Sequence, residues 1–289
     1  MYLPHEIIKK KILNFLKEDL AWGDITTDFL IPSKQKAEAF IIVKEPAVIA
    51  GLEEVTILFS SLGIKTNFLF KDGENVKENT KVLFLEGEAR NILVAERTAL
   101  NILMRMCGIA TQTHKFQEKI RSIHSKAKIA ATRKTLPGWG YFDKKAVALG
   151  GGDTHRFNLS DAILIKDNHL KFVNSPSDAI KKIREKVSFT KKIEIEVCTP
   201  KEAMIAAQAG ADIVMLDNFS PLEVKETIRE LEKKGLRGRV ILEVSGGIKL
   251  ENLLDYAILN PDIISCGALT HSVKAIDVSL EIYSTKSSQ

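Results

Sequence analysis

Residues 193–217, IEIEVCTPKEAMIAAQAGADIVMLD, decide the fold. Two short, largely β-branched runs, 193–197 and 213–216, are separated by a helical segment, and alternation of this kind builds a parallel sheet from strand–helix–strand units. Each run closes on a carboxylate: Glu196 lies in the last turn of the first, and Asp217 follows the second. Working outward, the same rhythm starts at Lys128, and runs at 128–132, 162–165, 240–244 and 263–265 bring the candidate strands to six. Polar groups follow every one of them. Arg133-Lys134 comes after the first, Lys166-Asp167 after the second, Ser245-Gly246-Gly247 after the fifth and Gly267 after the sixth. In parallel α/β barrels the active site lies at that carboxyl-end rim, and loops after the last strands commonly hold a phosphate. Six runs are fewer than the eight of a complete barrel, so the spacing predicts either two strands without a clear signal or an open barrel.

Upstream the pattern is mixed. Residues 2–20 place Ile7, Ile8, Ile12, Leu13 and Leu16 at helical spacing, whereas 36–43 alternate Ala37, Ala39, Ile41 and Val43 as a strand does. A helix-like run at 53–62 follows. Apolar runs at 68–70 and 82–85 flank an Asp72-Gly73 turn and suggest a small open sheet, before helical periodicity returns over 95–103. The chain therefore reads as an α+β domain over 1–108 and a barrel domain over 109–272. The tail 273–289 is expected to pack back on the first domain.

The 289 residues, 45% of them hydrophobic, can bury a full-sized core. No stretch approaches the roughly 18 uncharged apolar residues of a membrane span, and the amphipathic start does not look like a signal peptide, so a cytoplasmic protein is expected. Cys107, Cys198 and Cys266 are odd in number and outside any CxxC spacing, which argues against disulfides and zinc and for three buried small hydrophobes. The net charge of +5 could serve a nucleic acid or an acidic small molecule. Lys181, Lys182, Arg184, Lys186, Lys191 and Lys192 cluster without interleaved aromatics, as on a solvated helix face, so a nucleic-acid partner is disfavoured.

The chemistry gathers in the second domain. Arg133 and Lys134 precede a Pro-Gly turn, and a guanidinium beside an ammonium suits a carboxylate. The triplet Gly150-Gly151-Gly152 lets backbone amides approach a ligand or another chain, and it precedes His155-Arg156. Lys166-Asp167-Asn168-His169 follows the next strand. Five cationic or imidazole groups brought together by strand ends need an anion to offset their repulsion. Glu196 and Asp217 supply hard oxygens of the kind magnesium and ribose hydroxyls require; the alternative is that both pair with nearby lysines. Ser245-Gly246-Gly247-Ile248 is expected to open a helix whose amides and dipole seat a phosphate, with Gly267 and His271 completing that seat.

These residues carry a resemblance that runs nearly end to end. Gly23-Asp24-Ile25-Thr26-Thr27, Glu96-Arg97-Thr98-Ala99-Leu100-Asn101, Thr132-Arg133-Lys134-Thr135, the glycine triplet with His155-Arg156, Ile165-Lys166-Asp167-Asn168-His169, Glu194-Ile195-Glu196-Val197, Leu216-Asp217-Asn218, Ser245-Gly246-Gly247-Ile248 and Gly267-Ala268-Leu269-Thr270-His271-Ser272 all match. The chain resembles the quinolinate phosphoribosyltransferase (nicotinate-nucleotide pyrophosphorylase) family. The resemblance implies an open, seven-stranded, TIM-barrel-like α/β barrel behind a sandwich domain. It also implies a cytoplasmic, Mg2+-dependent enzyme of NAD biosynthesis that converts quinolinate and phosphoribosyl pyrophosphate to nicotinate mononucleotide, carbon dioxide and pyrophosphate. On that resemblance, Arg133, Lys134, His155, Arg156 and Lys166 meet the quinolinate carboxylates, with Arg97 reaching in from the partner subunit of a homodimer; hexamers are a further arrangement. Glu196 and Asp217 meet magnesium and hydroxyls, and Ser245, Gly246, Gly247, Gly267 and His271 surround the 5′-phosphate. Lys134, Lys166, Glu196 and Asp217 form the catalytic set.

Two positions depart from the family pattern. Gly140 stands where an arginine is usual, and the segment Glu18-Asp19-Leu20-Ala21-Trp22-Gly23-Asp24 carries Trp22, expected to add a buried indole. Three rivals remain: a molybdenum-transport-associated relative of the same fold, an enzyme that takes nicotinate instead, and a non-catalytic basic protein. The intact Lys166-Asp167-Asn168-His169 and glycine triplet speak against the first, the surplus of cations against the second, and two carboxylates on the cationic rim against the third.

Overall fold

The computed structural model describes residues 3–286, which divide into two compact units: the chain up to Gln112 with 148–150 and Val273 onward, and Thr113–Val147 with Gly151–Ser272.

In the first unit, helix α1 (His5–Leu20) buries Ile8, Ile12 and Leu16 of the stripe its spacing predicts, while Leu13 is half-buried and Ile7 is exposed. Short α2 (Ile25–Leu30) is capped by Asp24, whose Oδ1 accepts from the Thr27 amide at 3.1 Å. Strands β1 (Lys36–Val43), β3 (Lys65–Phe68), β5 (Thr80–Glu88) and β12 (Val278–Lys286) form an antiparallel sheet in the order β12-β1-β5-β3. The tail thus pairs with β1, Val278 opposite Val43. A two-residue pair, β2 (Ala47–Val48) with β4 (Asn75–Val76), and helix α3 (Leu52–Ser61) complete the layer. The apolar run at 68–70 is not a strand: only Phe68 ends β3, and Phe68 and Leu69 are exposed, because β3 is an edge strand paired with β5 alone. Trp22 is not the buried indole expected; it sits fully exposed in the turn after α1.

Helix α4 (Ala89–Arg121) runs for 33 residues straight through Gly108, where a domain boundary is expected from the sequence. The glycine marks a close approach of the chain. A Cβ there would lie 2.3 Å from the Lys274 carbonyl oxygen, within the same unit.

The second unit is a parallel sheet of six strands: β6 (Lys128–Ala130), β7 (Ile163–Ile165), β8 (Ile193–Val197), β9 (Ile213–Asp217), β10 (Ile241–Ser245) and β11 (Ile263–Ser265), ordered β6-β11-β10-β9-β8-β7. Ile193, Ile195, Val197, Val214, Leu216, Leu242, Val244 and Ile264 are buried, as expected of strands covered on both faces. A single parallel bridge, Ala130 with Asp153, extends the β6 edge. Helices α5 (Gly140–Leu149), α6 (Asp167–Leu170), α7 (Pro176–Arg184), α8 (Pro200–Gln208), α9 (Pro221–Lys233), α10 (Leu253–Ala257) and α11 (Ala268–His271) fill the connections. Ser175, Thr199 and Ser220 each cap α7, α8 and α9 and each precede a proline at the first helical position, the pairing that starts a helix cleanly. Gly140 opens α5, where the Trp139 ring packs 5.3 Å from that of Phe142. Among the described residues, no helix is long and apolar enough to cross a membrane.

Candidate active site

Parallel strands deliver their carboxyl ends to one rim, and there the second unit encloses a cavity of about 460 Å³. The five predicted cationic or imidazole groups, Arg133, Lys134, His155, Arg156 and Lys166, all line it, together with Glu196, Asp217, Ser245, Gly246 and Gly247. Each reaches the cavity from a defined place. Arg133 and Lys134 follow β6, where the chain breaks into a loop held by Thr132 Oγ1, which accepts from the Lys134 amide at 3.1 Å, and by Thr270, whose hydroxyl donates to the Lys134 carbonyl at 2.8 Å. Lys166 caps α6, with its amide donating to His169 Nδ1 at 2.8 Å. Buried Arg156 donates to the Ala162 carbonyl at 3.0 Å; burial first, then the neighbouring Arg133 charge, lower its pKa.

The two carboxylates are held differently. Lys166 Nζ stands 2.8 Å from Glu196 Oε2, so Glu196 does pair with a lysine. Asp217 Oδ2 instead accepts from Asn218 Nδ2 at 2.7 Å. Asn218 adopts φ +58°, its amide donates to the Ser245 carbonyl at 2.9 Å, and it lines the cavity. It thereby ties the end of β9 to the end of β10.

Below this rim lies a layer that the sequence reading passed over. His155 Nε2 sits 3.1 Å from Glu194 Oε2 and 3.3 Å from Glu243 Oε2, and both acids are buried. Burial opposes a charge on His155, but the two carboxylates overcome it and push its pKa up to about 10. Burial raises the pKa of Glu194. Glu194 and Glu196 share one face of β8 by the two-residue strand period, so the IEIEV pattern contained the signal. Glu243 in ILEVS was its counterpart in β10.

Several expectations need correction. The Ser245-Gly246-Gly247-Ile248 turn does not open a helix: α10 begins only at Leu253 and has five residues, so the turn offers backbone amides without a helix dipole. Gly267 and His271 are not among the lining residues, although Gly267 abuts Lys134 and His271 Nδ1 lies 2.6 Å from Ser272 Oγ. The glycine triplet does not line the cavity either; the Gly152 amide donates to the Val147 carbonyl at 2.9 Å, and the Gly151 carbonyl accepts from Gln117 at 2.7 Å. Arg97, expected to serve a partner's cavity and not its own, is an exposed residue of α4 in the first unit, which leaves that expectation untouched. Of the cysteines, Cys107 and Cys266 are buried as expected, with burial pushing both thiols up to about 12. Cys198 is exposed at the end of β8, where partial burial and then Glu202 and Asp217 raise its pKa and disfavour a thiolate.

Fold and cavity together define an α/β enzyme for polyanionic small molecules, built on a six-stranded parallel sheet, with cations and hard carboxylate donors meeting at the strand ends. The family models "Quinolinate phosphoribosyl transferase, N-terminal domain" and "C-terminal domain" match residues 24–107 and 109–281. A "Probable nicotinate-nucleotide pyrophosphorylase [carboxylating]" of Methanocaldococcus jannaschii is 48% identical over 280 residues, 96% of each chain. The rat "Nicotinate-nucleotide pyrophosphorylase [carboxylating]" is 37% identical over 97% of this chain and 93% of its own. The solved nicotinate-nucleotide pyrophosphorylase of Francisella tularensis superposes with a TM-score of 0.90 at 37% identity, covering 98% of both chains. The chain belongs to the quinolinate phosphoribosyl transferase family.

Proposed function

We infer that this protein transfers a phosphoribosyl group to quinolinate, forming nicotinate mononucleotide, carbon dioxide and pyrophosphate in NAD biosynthesis. One observation carries the reading: a single cavity is lined by Arg133, Lys134, His155, Arg156 and Lys166 beside Glu196 and Asp217. A dianionic pyridine and a polyphosphate donor require that charge distribution.

In this reading Arg133, His155 and Arg156 bind the two carboxylates, and Lys134 and Lys166 neutralise charge where the substrates meet. The pyridine nitrogen attacks the ribosyl anomeric carbon as the bond to pyrophosphate breaks. The cationic ring then accepts the electron pair of the bond to the 2-carboxylate, carbon dioxide leaves, and that ring carbon takes up a proton. Positioning and electrostatic stabilisation supply the catalysis, without a covalent nucleophile. Lys166, bridged to Glu196, keeps one ammonium at the junction. Ser245 and the amides of Gly246 and Gly247 suit the 5′-phosphate, while Gly267 and His271 pack beside Lys134 and support the loop after β6. Glu196 and Asp217 fit Mg2+: both are hard oxygen donors on adjacent strands, each with one oxygen engaged by the protein. Bound there, the ion would neutralise the departing pyrophosphate.

The barrel reads as seven-stranded if the Ala130–Asp153 bridge is counted as the rudiment of a further strand. Arg97 completes the quinolinate subsite from the partner subunit of a homodimer, and the enzyme works in the cytoplasm. Incubation with phosphoribosyl pyrophosphate, magnesium and either quinolinate or nicotinate tests the reading. Mononucleotide and carbon dioxide are expected in equal amounts from quinolinate, and both should be lost on chelation of the metal. Product from nicotinate alone would overturn it.

A further inference from the structure

We propose that Glu194 and Glu243 are positioning residues that hold His155 as an imidazolium in the cavity wall, so that it presents a permanently charged donor to a substrate carboxylate. The proposal rests on the reading of the cavity as a quinolinate site. Glu194 projects from β8 and Glu243 from β10, and the two carboxylates converge on one ring nitrogen, His155 Nε2, at 3.1 and 3.3 Å. The acids are 1% and 0% exposed and the imidazole 12%. Oε1 of each acid, Oε2 of Glu243 and Nε2 of His155 lack an aligned hydrogen-bond partner, so the three groups meet as charges at close range. Two buried carboxylates without compensation are strongly unfavourable, and the imidazolium facing both of them offsets the charge, with Arg156 also favouring an ionised Glu194.

The remaining charged neighbours act in the opposite sense. Arg156 adjoins His155 in the chain, and Arg133 and Lys166 line the same cavity; like charges favour a neutral ring. Cys266, beside Glu243, stays a neutral thiol. Without the two acids, His155 would therefore be neutral among cations, and a neutral ring donates from one nitrogen only. Nε2 faces the acids, so the substrate would then lose a charged donor. The backbone is equally committed: His155 holds φ +52°, outside the usual range for a non-glycine residue, with its amide donating to Asp153 Oδ1 at 2.7 Å.

The ring itself can be read. Full-length protein labelled with 15N-histidine, with His155 assigned by its loss in His155→Asn, is expected to show both ring nitrogens protonated at pH 8. Glu243→Gln and Glu194→Gln should each yield a singly protonated ring at pH 8, with KM for quinolinate raised about tenfold or more. At pH 6 that KM should recover, while kcat at saturation stays within about threefold of the parent; a merely structural role would not make the KM defect depend on pH. A parent ring carrying one proton at pH 8 would overturn the proposal even if both glutamine variants failed to fold. So would a stoichiometric metal in the purified protein that displaces the Nε2 proton, since the three side chains can also be read as a donor set. Parent protein that turns over no quinolinate would instead sink the functional reading, and the ring spectrum would still be read on its own.

Discussion

Replacing Gly246 by alanine tests how the rim is built. Gly246 lies at φ +96°, and a Cβ there would stand 2.3 Å from Asn218 Oδ1 and 2.5 Å from the Asn218 backbone nitrogen. Ordinary contact begins near 3.4 Å, so the ends of β9 and β10 must part by about 1 Å. The side chain of Asn218 could turn away, but its backbone cannot. The amide of Asn218 is bonded to Ser245 and its side chain holds Asp217 Oδ2, so any shift moves the carboxylate with it. Left-handed strain of about 1–2 kcal/mol and overpacking of about 1–3 kcal/mol together predict a loss near 3 kcal/mol, read as a fall in Tm of roughly 6–12 °C. A misplacement of about 1 Å costs on the order of 100-fold in rate. Accordingly kcat/KM for phosphoribosyl pyrophosphate should fall about 100-fold in Gly246→Ala. Gly247→Ala, at φ +62° with nothing within 4 Å of a Cβ, should lose only about 1 kcal/mol and less than tenfold in activity. Steady-state kinetics and thermal unfolding of both variants settle it. Gly246→Ala with the parent's kcat/KM, or Gly247→Ala as the more damaged of the two, would refute the argument.

Lys134→Ala should lower kcat by at least about 100-fold with Tm nearly unchanged, because Lys134 is exposed at the rim. Arg156→Ala should lose similar activity and also about 1–3 kcal/mol of stability in urea unfolding, since it is buried and serves the Ala162 carbonyl. His155 has a raised pKa in the folded chain, so its contribution is fully present below the unfolded value of 6.5 and is lost as pH rises through about 10. The stability gap between the parent and His155→Asn should therefore narrow from pH 7 to 10.5, and a gap that stays constant or widens would contradict this. If Arg97 serves the neighbouring subunit's cavity, mixing inactive Arg97→Ala with inactive Lys134→Ala protein should restore up to about a quarter of the activity, by statistical formation of mixed dimers with one intact site. No recovery after verified subunit exchange would rule out the shared site.

The parallel sheet was legible because its strands are short, largely apolar and mostly buried: β8 and β11 coincide with the runs 193–197 and 263–265, and the other four differ by one or two residues at their ends. The cationic set was equally legible, since each member directly follows a strand or the glycine triplet. What escaped notice depends on partners distant in sequence. Glu194 and Glu243 look like solvent-facing alternation until two strands bring them around His155. The glycine triplet looks like a ligand loop, yet its polar groups serve Gln117 and Val147. Phe68 to Phe70 has the composition of a core strand, but β3 lies at a sheet edge and no second neighbour covers it. The turn after β10 reads as a helix start because its glycines hide the five residues that separate Gly247 from α10.

A crystal structure of the protein with quinolinate and an unreactive analogue of phosphoribosyl pyrophosphate examines the central claim directly. The quinolinate carboxylates are expected between Arg133, His155 and Arg156, the 5′-phosphate on Gly246 and Gly247, and the ribose beside Glu196 and Asp217. Quinolinate or the analogue bound outside the cavity at the strand ends, with these residues uncontacted, would contradict it.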